Sequence, residues 1–152
     1  MSGLKMADVS DKKMTRRKAV AKAVISAPAV IIRRIRHGEL AKGDCLAAAQ
    51  AAGILAAKNT ASLIPLCHPL PLTHVDISFS FARTGLEIVS TVKASYATGV
   101  EMEALCACAA AALTIYDMAK GYDKGIVVRE LRLLEKSGGK SGNWKSRVLE
   151  RH

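Results

Sequence analysis

Apolar and polar residues change period several times along this 152-residue chain, and each change marks an expected element. After a polar arm, Met1–Met14, the stretch Ala19–Ser26 reads as a short strand. Pro28 suits the first turn of a helix that Ala29, Val30, Ile32 and Ile35 continue as far as Gly38. A second, Ala-rich helix is expected from about Asp44 to Thr60, with Asp44 as its N-cap. The run Leu63–Leu72 holds three of the four prolines and is therefore neither a central helix nor a central strand. Its pre-proline residues Ile64, His68 and Leu70 are pushed towards extended backbone. Val75, Ile77, Phe79 and Phe81 then alternate as a strand, Thr84-Gly85 turns the chain, and Leu86, Ile88, Ser90 and Val92 alternate back. Thr98-Gly-Val-Glu101 has the spacing of a capping box, opening a helix through about Lys120. Ile126–Leu134 reads as the last strand. The order is that of an α+β, ferredoxin-like β-α-β-β-α-β sandwich with an antiparallel sheet. One domain, 15–144, is expected between a flexible basic arm, 1–14, and a tail, 145–152.

Composition narrows the class. Half the residues are hydrophobic and 24% are charged, which is ordinary for a globular chain, while aromatics make up only 4%. The formal net charge of +10 is unevenly placed. Residues 1–43 carry eleven basic and three acidic side chains and residues 120–152 nine and four, whereas 44–119 carry three and six. Basic ends around a mildly acidic middle point to an anionic partner. The N-terminus has no apolar run of secretory type. The apolar stretch Ala104–Tyr116 is too short to span a bilayer and is bracketed by Glu103 and Asp117. Cys45, Cys67, Cys106 and Cys108 form no metal pattern, so a reduced cytoplasmic protein without membrane contact is expected.

The 98–120 helix holds the first candidate chemistry. Glu103, Ala107, Ala110, Thr114 and Asp117 share one stripe, which reads as a narrow polar lane. Asp117 stands near the C-terminal end, where the helix dipole disfavours an anion, so a salt bridge to Lys120 or a functional role must account for it. Glu103 and Asp117 are fourteen residues apart, about 21 Å along a helix. A small substrate touching both therefore needs two subunits. Cys67-His68, fixed between Pro65 and Pro69, presents a thiol and an imidazole. Adjacent residues on extended backbone point to opposite sides, which argues against a Cys–His nucleophilic pair. His74 adds no usual zinc spacing. Gly139-Lys140-Ser141 lacks the upstream glycine of a Walker loop, position 134 being leucine, yet a glycine loop with Lys136 and Lys140 can still hold phosphate. Lys42 precedes a helix entrance, an anion-favouring place. The run Lys12, Lys13, Arg16, Arg17, Lys18 reads by itself as a solvated face.

Seven motifs stand in order: Asp8-Val-Ser10, Thr15-Arg-Arg17, Lys42-Gly-Asp44, Leu63-Ile-Pro-Leu-Cys-His-Pro-Leu70, Thr98-Gly-Val-Glu-Met-Glu-Ala-Leu105, Leu113-Thr-Ile-Tyr-Asp-Met118 and Lys136-Ser-Gly-Gly-Lys-Ser-Gly142. Together, from about residue 6 to 144, they resemble the molybdenum cofactor biosynthesis protein C family. The resemblance implies a ferredoxin-like catalytic subunit in a homohexamer, a trimer of dimers with sites at subunit interfaces. It implies a phosphorus-oxygen lyase that converts a triphosphate, 3′,8-cyclo-7,8-dihydro-GTP, into cyclic pyranopterin monophosphate with release of pyrophosphate. By motif, Asp117 corresponds to the principal acid/base residue, accompanied by Lys42, His68, Lys120 and Lys136. Leu66, Cys67, His68, Glu101, Met102, Glu103, Arg17 and Lys140 correspond to substrate contacts. No resident metal or cofactor is implied; Mg²⁺ could assist a triphosphate but is not indicated.

Two rival classes remain distinguishable. A nucleic-acid module of this fold would display stacking aromatics on neighbouring strands. Here Phe79 and Phe81 share one strand and Leu86–Val92 offers none, so no specific nucleic-acid partner is expected. The other rival is a non-catalytic oligomeric scaffold, in which Asp117 would be dispensable.

Overall fold

A computed structural model describes residues 3–147. Its strands are β1 (Thr15–Ser26), β2 (Leu72–Phe81), β3 (Gly85–Tyr96), β4 (Val127–Ser137) and β5 (Trp144–Lys145). Its helices are α1 (Ala29–His37), α2 (Cys45–Lys58), α3 (Thr60–Leu63) and α4 (Glu101–Ala119). The strands form one sheet in the order β2-β3-β1-β4-β5, with every neighbouring pair antiparallel. The first four of these have the ferredoxin-like arrangement expected from the sequence.

Strand alternation sorts the two faces of the sheet. Ala19, Ala21, Ala23 and Ile25 of β1 and Leu86, Ile88 and Val92 of β3 are buried together with Ile115 of α4. The opposite positions of β1 carry Arg16, Lys18 and Lys22. Lys22 is buried nonetheless, because Glu87 lies 2.7 Å from its ammonium and Glu130 3.9 Å. Glu130 reaches it from an irregularity in the β1–β4 pairing and has a positive φ of 51°. Phe79 and Phe81 of β2 are half-buried and pack against the core.

The helices follow their local signals with two exceptions. Gly38 ends α1 in the left-handed region, and the Asp44 carboxylate caps α2 by accepting from Ala47 N–H at 3.0 Å. The expected second helix breaks at Asn59, and α3 forms a separate turn before the prolines. The capping box at Thr98–Glu101 does not form. Val100 is the N-cap of α4, with no side-chain cap bond. The Arg17 guanidinium instead donates to the carbonyls of Tyr96 and Ala97, both at 3.3 Å, which ties down the chain just before the box. Glu101 curls back against Gly99, where a Cβ would overlap its carboxylate.

Other departures lie at element ends. β1 begins four residues before Ala19 because its added charges are accommodated, Arg17 by the carbonyls of Tyr96 and Ala97, and Lys18, on the opposite face, by Glu135. β4 runs on to Ser137, into the Gly/Lys motif. β5 pairs with Glu135 and Lys136 where only tail was expected. Met1, Ser2 and residues 148–152 of the arm and tail lie outside the described residues.

The polar lane expected along α4 is not a lane. Glu103 and Ala107 are buried, Ala110 and Thr114 half-buried, and only Asp117 is exposed. The buried part is the seam with α2. A Cβ on Gly53 would lie 2.8 Å from the Ala107 carbonyl oxygen and would overlap the Ile77 side chain. α4 is also longer than the apolar run suggested. Its nineteen residues are long and apolar enough to cross a membrane by length and composition, but half of that stretch is buried against sheet and α2 as a core helix.

Gly53→Val should therefore destabilise the fold by about 3 kcal/mol, since overpacking meets backbone on one side. Chemical unfolding of the two proteins measures this, and an unchanged midpoint would mean that α2 and α4 are not in close contact.

Candidate active site

α4 carries a carboxylate near each end, and the fold gives them opposite surroundings. At the C-terminal end Asp117 Oδ1 lies 2.7 Å from Lys120 Nζ, one turn on, and Oδ2 lies 2.6 Å from Lys42 Nζ. Lys42 Nζ also donates to the Asp117 carbonyl at 3.0 Å, satisfying an acceptor at the helix end. Lys42 arrives on a turn closed by Gly43 N–H to Leu40 O at 3.0 Å, directly before the Asp44 cap. Hydrogen bonds from Lys120 and then Lys42 hold the Asp117 carboxyl down to about 2, against its ordinary 3.8. The same pairing raises Lys120. Two ammoniums thus outweigh the unfavourable helix dipole. The i+3 partner was legible in the spacing; Lys42, seventy-five residues away, was not.

At the N-terminal end the proline loop, α4 and the arm enclose a cavity of about 190 Å³. Leu66, Cys67, His68, Glu101, Met102 and Glu103 all line it. Cys67 closes a turn with Ile64, its N–H donating to Ile64 O at 3.0 Å, so the local backbone is not simply extended. Burial first, then the Glu103 and Cys106 charges, push the Cys67 thiol up, which disfavours a thiolate nucleophile. Glu103 is only 3% exposed. Burial, reinforced by the charge of Glu101, pushes its carboxyl up to about 7 against the opposing pull of its own backbone N–H. One helix thus holds a carboxyl able to exchange protons near neutrality and another that stays ionised.

A second cavity, of about 720 Å³, shares Lys12, Thr98, Gly99 and Glu101 with the first. Arg17, Lys13, Lys140 and Ser141 also line it. Gly138 and Gly139 close it from the β4 end with φ of +94° and +78°. A side chain at Gly138 would overlap the Arg16 carbonyl, and one at Gly139 the Arg17 guanidinium, so only Gly-Gly lets this loop settle on Arg17. Lys136 donates to the Ser141 hydroxyl and so borders the same loop. Four cations face this space against Asp11 and Glu101. Lys12 and Lys13, read from sequence as part of a solvated face, line it too. Their excess of charge in an otherwise ordinary arm was the available signal. Among the described residues no three His, Cys, Asp or Glu side chains gather as a metal-binding group.

Fold and site together define an α+β, ferredoxin-like protein with a basic cavity suited to a small polyanion and adjoining a proton-exchanging carboxyl. The cluster of Lys42, Asp117 and Lys120 lies at the far end of α4, about 21 Å from Glu103 by helix rise. The profile of the MoaC family matches residues 6–139, and the chain belongs to that family. A relative from Heliobacterium modesticaldum is 55% identical over 144 residues, covering 93% of this chain and 91% of the relative. One from Brevibacillus brevis is 52% identical over 141 residues, covering 92% and 88%. One from a Thermoanaerobacter species is 52% identical over 146, covering 95% and 92%. Each is named a cyclic pyranopterin monophosphate synthase.

Because Glu103 binds its proton more tightly folded than unfolded, it weakens the fold as pH rises from about 4.5 to about 7. Below that window both states are protonated and the penalty vanishes; above it the penalty is full, on the order of 3 kcal/mol. Glu103→Gln should flatten this decline. Unfolding free energies measured from pH 4 to 8 check it, and parallel curves for variant and wild type would count against the buried acid.

Proposed function

We propose that this protein is a cyclic pyranopterin monophosphate synthase, a lyase of molybdenum cofactor biosynthesis. Its substrate is 3′,8-cyclo-7,8-dihydro-GTP and its products are cyclic pyranopterin monophosphate and pyrophosphate. The observation that carries this reading is the junction of the two cavities in a chain of this family. A cation-rich space opens onto the space shared by His68, Glu103 and the proline loop. A triphosphate with about four negative charges fits the first, where Arg17, Lys140 and the neighbouring Lys136 bind it and offset charge on the departing pyrophosphate. The cyclised purine fits the second, held by Leu66, Cys67, Met102 and Glu101, with Glu103 and His68 within reach as proton carriers.

Asp117 is the acid/base group of the reading, with Lys42 and Lys120 beside it. Unliganded, it is ionised and clamped by two ammoniums, so it can accept a proton but not donate one. A substrate phosphate that draws Lys42 or Lys120 away raises its basicity when the reaction needs it. No resident cofactor enters this scheme.

The length of α4 supports an assembly in which one subunit supplies the cavities and a neighbour the Asp117 cluster, as in a hexameric trimer of dimers. The four cysteines are all free, which is compatible with the cytoplasm.

Purified protein given the cyclised dihydro-GTP should release pyrophosphate, and Asp117→Asn should lower kcat on the order of 10²-fold or more. Release at equal rates by both proteins would remove Asp117 from the chemistry. Absence of release from the folded wild type would defeat the synthase reading.

Subunit sharing has its own test. Hetero-oligomers mixed from inactive His68→Ala and Asp117→Asn subunits should recover about a quarter of wild-type sites, because some interfaces then pair two intact halves. No recovery in a verified mixed oligomer would confine each site to one subunit.

A further inference from the structure

Lys42 sits on an exposed turn, yet its ammonium is aimed at Asp117 with two hydrogen bonds. A long, solvated side chain gains little from one surface ion pair and loses rotamer freedom in making it. The backbone beneath it must therefore be held. Leu40 anchors one end of the turn in the core, at 5% exposure. On the other side, Asp44 leads into α2. Between them the Ala41 N–H points away from the turn and donates to the Tyr122 hydroxyl at 2.8 Å.

Tyr122 is well placed to hold it. It lies three residues past the end of α4, and its own N–H donates to Ala119 O at 2.9 Å, which ties it to the helix end that bears Asp117. Its ring lies beneath the Arg34 guanidinium of α1, 5.0 Å from the ring centroid. One side chain thus joins three pieces: the end of α4, α1 and the lysine turn.

We propose that Tyr122 is a positioning residue for the reaction: its hydroxyl, clamped by Arg34 on the ring face, fixes Ala41 and so sets the reach of Lys42 to Asp117. It touches no reacting atom. Its effect passes through the backbone of the adjacent residue. Misplacing a catalytic group by about an ångström costs up to 10²-fold in rate, but Leu40 and the Gly43 turn remain without Tyr122, so a part of that loss is expected. This role rests on the synthase reading for its kinetic consequence but not for its geometry.

Tyr122→Phe isolates the hydroxyl, leaving the ring under Arg34. We expect kcat for pyrophosphate release to fall about 3- to 10-fold, with KM within about twofold, since Arg17, Lys140 and Lys136 carry most of the triphosphate binding in this reading. Acylation of Lys42 by an amine-reactive reagent, followed by mass spectrometry and normalised to exposed Lys58, should accelerate about threefold as the ammonium leaves Asp117. A tyrosine that merely stabilised the fold would lower the unfolding midpoint and leave the Lys42 labelling ratio unmoved. Arg34→Gln should shift both readouts in the same direction by less. Unchanged kcat and unchanged labelling in Tyr122→Phe would overturn the proposal. Should wild type release no pyrophosphate, the synthase reading falls while the labelling ratio still decides the clamp: acceleration supports it, and an unmoved ratio overturns it.

Discussion

Helices α2 and α4 pack through small residues so closely that no side chain fits at Gly53, and the rest of the subunit is arranged around that contact. Gly53 lies against the Ala107 carbonyl and Ala111, and Ala49, Ala57, Ala104 and Ala111 are all buried. Little side-chain volume separates the helices, so dispersion acts between backbones and small movements meet hard resistance. α4 is thereby a rigid spacer. It holds Glu103 against the proline loop at one end and Asp117 beside the Lys42 turn at the other.

That rigidity lets one helix sustain two electrostatic regimes. Glu103 is taken out of water with another carboxylate nearby, and its proton affinity rises; Asp117 stays in water between two ammoniums, and its proton affinity falls. Two carboxyl groups on one helix thus come to differ widely, Glu103 pushed up to about 7 and Asp117 held ionised by its lysines. The Gly138-Gly139 loop adds the third environment, a concentration of cations that is tolerable because it is open to solvent.

Much of this was legible along the chain. The alternation of Val75–Phe81 and Leu86–Val92, the proline cluster and the long Ala-rich helix fixed the ferredoxin-like order, since each depends on near neighbours. The Asp117–Lys120 pair was legible for the same reason. The capping box misled because Glu101 satisfies a local rule, while Arg17, far away in the chain, holds the backbone at Tyr96 and Ala97 just before the box. The polar lane misled because period alone cannot tell a small residue facing water from one facing another helix.

What the sequence determined by itself was the alternation of elements, the family's motifs and the kinds of chemistry available: lysines and arginine for phosphate, carboxylates and an imidazole for protons. Tertiary structure alone decided which of these groups meet. It brought Lys42 to Asp117, Arg17 under the glycine loop, the arm's lysines to the cavity wall and Tyr122 to Ala41. The physical reason is range. Hydrophobic period and turn chemistry act over a few residues, whereas a charge or hydrogen bond acts across whatever space the packed core has brought within a few ångströms.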